Sequence, residues 1–164
     1  MSEMLLLTSS IDPISEGQIF PENEKLPRHV TIWQYFSLPS HSVEPFIKDV
    51  GDVVEGFSPL EIVGTNREHF GPNNDVLVRR VMALGTGATL ITLHTTIGHV
   101  IYQHEGIIEN PEWAYGGYNP HMTFVRAGAL AANEYAKLNQ VELIEKDATT
   151  REKIVRKIWK LEEV

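Results

Sequence analysis

Three His-x-Thr triplets occur in this 164-residue chain: His29/Thr31, His94/Thr96 and His121/Thr123. An imidazole and a hydroxyl two residues apart share a face on a strand but point in different directions on a helix. The first triplet lies in Leu26-Pro27-Arg28-His29-Val30-Thr31-Ile32-Trp33. The third lies in Tyr118-Asn119-Pro120-His121-Met122-Thr123-Phe124-Val125. Both stretches are apolar, entered through proline and strand-like. The second triplet falls in a helical apolar pattern, which makes His94 a helix residue near the edge of the core. Among seven histidines, about one such triplet is expected by chance. The strand-borne pair is therefore the significant observation.

Two such pairs suit one chemistry. Hydrolysing a phosphodiester without a metal needs a base to activate water and an acid to protonate the leaving oxygen. Histidine, with an ordinary pKa of about 6.5, can do either near neutrality. The threonine hydroxyls can donate to the phosphate oxygens as charge builds on them. Two strands lying side by side would bring His29 and His121 together.

Other residues are candidates by position. Read as an unbroken strand, His29, Thr31, Trp33 and Tyr35 face one way and Val30, Ile32 and Phe36 the other, with Gln34 the exception. Trp33 and Tyr35 could then stack on a base. The alternative is that they pack within the sheet. Trp113 and Tyr115 precede the second motif in a loop, a natural place for a lid. Arg28 and Arg126 flank the motifs but alternate to the opposite face, so phosphate contact would need a bulge or a strand end. His94, His99 and His104 advance roughly 140° per step on a helix and form no metal-binding face. His41 and His69 read as ordinary loop or helix-start residues.

The elements that must position these groups follow from pattern. Met4 to Thr8 reads as a strand and Ser9 to Glu24 as a loop. The His29 strand runs to about Phe36. Val43, Phe46, Ile47, Val50, Val54 and Phe57 make one helical stripe, with Ser40 or Ser42 as cap. Leu60 to Thr65 and Val76 to Val81 form a hairpin with a long loop over Arg67 to Asp75. Thr86 to Gln103 is the second helix, with Leu90, Leu93, Ile97 and Ile101 on one face. Tyr118 to Val125 is a strand, Ala129 to Leu138 a short helix, and Val141 to Lys146 with Lys153 to Leu161 a terminal hairpin. The class is α+β, antiparallel sheet packed against helices, in a single domain over 1–164.

Composition excludes several alternatives. The chain has no cysteine, so disulfides and thiolate metal sites are out, and a reducing, cytoplasmic compartment is compatible. No secretory leader or membrane-length apolar run is visible. A net charge of −8 repels long polyanions, which argues against duplex DNA and for small ligands.

The paired motifs, the second as Tyr118-Asn119-Pro120-His121-Met122-Thr123-Phe124, resemble those of the 2H phosphoesterase superfamily, whose best-known branch is the 2′-5′ RNA ligase-like proteins. The resemblance spans most of the chain. It implies two pseudo-symmetric lobes with helices outside and a central cleft. It further implies His29 and His121 as the acid/base pair, Thr31 and Thr123 as phosphate-binding hydroxyls, and no metal or other cofactor. The implied substrates are small: 2′,3′-cyclic phosphates, RNA ends, 2′-5′ linkages or cyclic oligonucleotides. Alternatives are hydrolysis of cyclic-oligonucleotide or 2′-5′ oligoadenylate defence signals, and sequestration of a nucleotide without turnover. Ser9 to Glu24 departs from the family, many of whose members carry a helix after the first strand.

Overall fold

The computed structural model describes residues 1–85 and 89–163. Apolar residues alternating at strand period build one curled antiparallel sheet. Its strands are β1 (Ser2–Ser10), β2 (Ile19–Phe20), β3 (His29–Pro39), β4 (Leu60–Phe70), β5 (Val76–Ala83), β6 (Ile107–Ile108), β7 (His121–Thr123), β8 (Tyr135–Leu138), β9 (Gln140–Lys146) and β10 (Lys153–Lys160). The spatial order is β2-β10-β9-β1-β3-β7-β5-β4-β8, with β6 paired to β3. The two motif strands, β3 and β7, therefore meet where one lobe gives way to the other. The fold is α+β with two lobes.

Two helices, α1 (Val43–Val54) and α2 (Leu90–Gln103), cover one face of the sheet. Val43, Phe46, Val50 and Val54 of α1 and Leu90, Leu93, Ile97 and Ile101 of α2 join Val30, Ile32 and Met122 in the main core. A second apolar cluster, Leu6, Ile14, Phe20, Leu26, Ile144 and Val155, lies across the sheet. It is closed by the segment between β1 and β3. Leu6 and Ile144 alternate with Leu5, Leu7 and Leu143 of the main core, as expected for strands buried on both faces. Among the described residues no helix is long and apolar enough to cross a membrane.

Several expectations are corrected. The loop after β1 contains β2, which pairs with β10 through Lys153↔Phe20. β4 and β5 run almost to the turn at Gly71 (φ 94°) and Asn74 (φ 51°), so the long loop is a tight one. Ala129 to Leu138 is not a helix: Asn133 takes φ 66°, and Tyr135–Leu138 pairs with β4 instead, burying Leu138. Its exposed–buried alternation follows the sheet, not a helix. Ser42 caps α1 without a side-chain bond, whereas the Thr89 hydroxyl accepts from Thr92 N–H at the start of α2. The expected helix start at Thr86 lies outside the described residues.

Candidate active site

One backbone pair sets the site. Val30 of β3 stands opposite Met122 of β7 in an antiparallel ladder, and both are fully buried on the helix side. Alternation then puts His29, Thr31, His121 and Thr123 on the other face, all half-buried. Antiparallel register sets His29 against Thr123 and Thr31 against His121. The two imidazoles are diagonal neighbours, a relation that spaces Cβ atoms by about 7–8 Å.

The imidazoles are oriented alike. His29 Nδ1 lies 2.7 Å from the Pro27 carbonyl, and His121 Nδ1 lies 2.8 Å from the Asn119 carbonyl. Each Nδ1–H donates two residues back along the chain, which leaves Nε2 as the nitrogen for chemistry. Both pKa values lie below the ordinary histidine value. Burial is the main cause for each, and the Nδ1 bonds oppose it. Nearby charge lowers His29 further through His121 and Lys153, and His121 through Arg80.

Arg80 is the group that sequence reasoning missed. It stands directly opposite His121 in the β5–β7 ladder. Its guanidinium bonds Glu68 at 3.2 Å and Asn119 at 3.3 Å, while its buried Nε has no partner among the described residues. Cross-strand placement was the missing signal, and it appears only once the β5–β7 register is known. Arg28 is tied to Asp12 at 2.7 Å, and Arg126 is exposed beyond β7.

A cleft of about 550 Å³ opens beside His121. Thr31 and Gln34 line it, facing Phe70 and Asn74 of the β4–β5 turn and Trp113 and Asn119 of the loop before β7. Phe70 meets the His121 ring edge-on at 4.7 Å. His69, expected to be an ordinary loop residue, also lines the cleft.

Trp33 and Tyr35 are not in this cleft. The β1–β3 register slips between Leu5↔Phe36 and Leu7↔Trp33, and again before Thr8↔Thr31, because β3 carries extra residues. These bulges invert the alternation, so Ile32 and Trp33 are both buried and Gln34 takes the cleft position. Trp33 is 2% exposed and its Nε1–H donates to the His94 carbonyl at 2.7 Å. Tyr35 packs on the second cluster, with Lys146 Nζ 5.2 Å from its ring centre.

Tyr115 also turns away from the cleft. It takes φ 51° and packs over Gly98 of α2, edge-on to Trp33. A Cβ at Gly98 would stand 2.7 Å from both Trp33 Cζ2 and the Tyr115 hydroxyl, so only glycine fits there. Trp113 and Tyr118, not Tyr115, are the loop aromatics that line the cleft.

His94 is not at the core edge but buried, 1% exposed. It is stacked between Trp33 and Tyr118, with both ring-centre distances 4.0 Å. Its Nδ1–H donates to the Ile32 carbonyl at 2.7 Å, and its Nε2 accepts from Tyr115 N–H at 2.9 Å. Both nitrogens are used only in the neutral form, and burial lowers its pKa accordingly. Tyr118 donates its hydroxyl to the Thr31 carbonyl at 2.8 Å. This stack ties α2, β3 and the pre-β7 loop into one unit beneath the site. Among the described residues no three His, Asp or Glu side chains gather as metal ligands.

The two-lobed α+β architecture is shared with several solved structures. Solved structures with this fold include Escherichia coli LigT complexed with 3′-AMP, at TM-score 0.62 and 13% identity, covering 99% of this chain and 100% of that one. A structure described as a phosphoesterase gives TM-score 0.61 and 13% identity over 99% and 100%. TT0787 of Thermus thermophilus gives 0.61 and 13% over 96% and 97%. LigT has also been solved with NADP+ and with ATP. No family model matches the chain, and no curated protein matches its sequence.

Proposed function

We propose that this protein is a metal-independent phosphodiesterase of the 2H kind, acting on a small nucleotide phosphodiester: a 2′,3′-cyclic phosphate, a 2′-5′ linkage or a cyclic oligonucleotide. The observation that carries the reading is the Val30↔Met122 pair, which puts two His-x-Thr motifs on one face with each Nδ1 held by a carbonyl. The nucleotides in the LigT structures fit the same reading. A chain without cysteine suits the cytoplasm.

In this mechanism one Nε2 takes a proton from water as the oxygen attacks phosphorus. The other gives a proton to the departing oxygen. Desolvation lowers the pKa of both imidazoles and so disfavours their charged forms in the empty site. An incoming phosphate anion favours protonation of the nearer one, so the substrate itself recruits the acid. Thr31 and Thr123 donate to the non-bridging oxygens, and the Arg80 guanidinium, cross-strand from His121, adds positive charge there. Acid and base exchange places when the reaction runs backwards.

The test is turnover in excess EDTA of 2′,3′-cyclic nucleotides, a 2′-5′ dinucleotide, and cyclic di- and trinucleotides. Cleavage of at least one, with a bell-shaped pH profile, is expected. Tight binding of one without turnover of any would replace this reading with nucleotide sequestration.

A further inference from the structure

We infer that the cleft beside His121 is a base-reading pocket selecting guanine, with Trp113 as stacking platform and Glu112 as the group that reads the base edge. This rests on the phosphodiesterase reading for the placement of the phosphate at the histidines. Three features of the pocket support it.

First, no lysine or arginine is among the described residues lining the 550 Å³ cleft. Arg80 faces the phosphate position from the β5 side instead. The space is suited to an uncharged nucleoside and offers no lysine or arginine to a second phosphate. Second, the lining mixes an aromatic surface with donors and acceptors: Trp113 and Phe70, then the amides of Gln34, Asn74, Asn110 and Asn119. Flat heteroaromatic rings with polar edges are bound by such sets. Third, Glu112 is among the residues of the same wall and brings a carboxylate to its rim. A carboxylate accepts and does not donate. Among the four bases only guanine presents two adjacent donors, its N1–H and N2 amino group. Adenine and cytosine set an acceptor beside their amino group, and uracil flanks its single N–H with carbonyls.

The wall is built to hold these groups still. Trp113 N–H bonds the Asn110 carbonyl, and Gly117 passes so close to the Glu112 carbonyl that a Cβ there would overlap it. The buried His94 clamps the next turn through Tyr115 N–H. A pocket anchored to the core in this way is preorganised, which favours discrimination over general affinity.

Equilibrium binding of the four nucleoside 3′-monophosphates to the wild-type protein tests the inference without requiring turnover. Guanosine 3′-monophosphate is expected to bind at least about tenfold tighter than the others, from one good bidentate pair. Guanosine 3′,5′-bisphosphate should bind no tighter than the 3′-monophosphate. Glu112→Gln should erase the preference for guanosine over the other three nucleotides while circular dichroism stays unchanged. Trp113→Ala should weaken all four alike. Equal binding of the four nucleotides, or a guanine preference that survives Glu112→Gln, overturns the inference. A guanine preference in a protein that hydrolyses nothing would leave the pocket standing and remove the catalytic reading.

Discussion

The two half-sites are copies in backbone and opposites in surroundings. His29 and His121 each sit on a strand, each donate Nδ1–H to the carbonyl two residues earlier, and each face a threonine across the ladder. The neighbouring strands differ. β1 sets Thr8 opposite Thr31 and Ser10 opposite His29. β5 sets Val78 opposite Thr123 and Arg80 opposite His121. One imidazole thus has neutral hydroxyls beside it in the sheet, and the other a guanidinium. Pseudo-symmetry fixes where the nitrogens are and burial lowers both pKa values, while Arg80 on the outer strand adds its charge at His121 alone. A site needing one acid and one base gains from such a split, because identical environments would titrate together.

The strongest attack on the comparison removes each half in turn. His29→Ala and His121→Ala should each lower kcat/KM by roughly a hundredfold or more, since each loses an acid–base step. The double variant should be little worse than either single one, because the residues act as a unit. Steady-state rates on the best substrate of the panel check this. A loss of only a few-fold for either would show that the two halves are not equal partners.

How much of this arrangement the sequence could reveal differs between backbone and surroundings. Both motifs, both helical stripes and the terminal hairpin are local patterns that lead to corresponding elements, although the strand expected over Tyr118 to Val125 shortens to His121–Thr123. The bulges in β3 are not local: two extra residues against β1 send Trp33 inward and bring Gln34 to the cleft, and nothing in the run from His29 to Phe36 announces them. Arg80 and His94 are invisible for the same reason. Arg80 matters because β5 pairs with β7, and His94 because α2 lies over β3 beneath Tyr118. His94/Thr96 is set aside as a motif on helical geometry, a step that also hides a histidine holding the loop before the second motif. The short helix expected from Ala129 fails because the open edge of β4 offers Tyr135–Leu138 a ladder.

A narrower test isolates the difference between the halves. Arg80→Gln removes the cation beside His121 and leaves its Nδ1 bond. A nearby cation disfavours the imidazolium, so its loss should raise the His121 pKa and leave that of His29 in place. The expected outcome is a shift of one limb of the pH profile to higher pH and a rate loss of roughly 10- to 100-fold, the worth of charge-assisted bonds to phosphate. Histidine NMR titration checks the assignment. Equal shifts at both histidines would mean that Arg80 acts on the cleft as a whole.

The smallest expected effect on rate comes from the floor of the first half-site. Glu142 of β9 is fully buried opposite Thr8, with both carboxylate oxygens accepting Ser10 N–H, at 2.9 and 3.2 Å. Burial pushes its pKa up to about 7, against these bonds. Below pH 4.5 the group is protonated in both folded and unfolded chains and has no pH-dependent effect. Between 4.5 and 7 the unfolded chain releases the proton and the folded one keeps it, so stability falls as pH rises. The loss is complete above about 7 and amounts to roughly 3 kcal/mol. Glu142→Gln keeps an acceptor for Ser10 and removes the charge. Its melting temperature should exceed that of the wild type at pH 8 and approach it at pH 4.5, with turnover changed by no more than a few-fold. Since Ser10 is the cross-strand neighbour of His29, a variant that gained stability but lost activity would show that this carboxyl tunes the first half-site as Arg80 does the second.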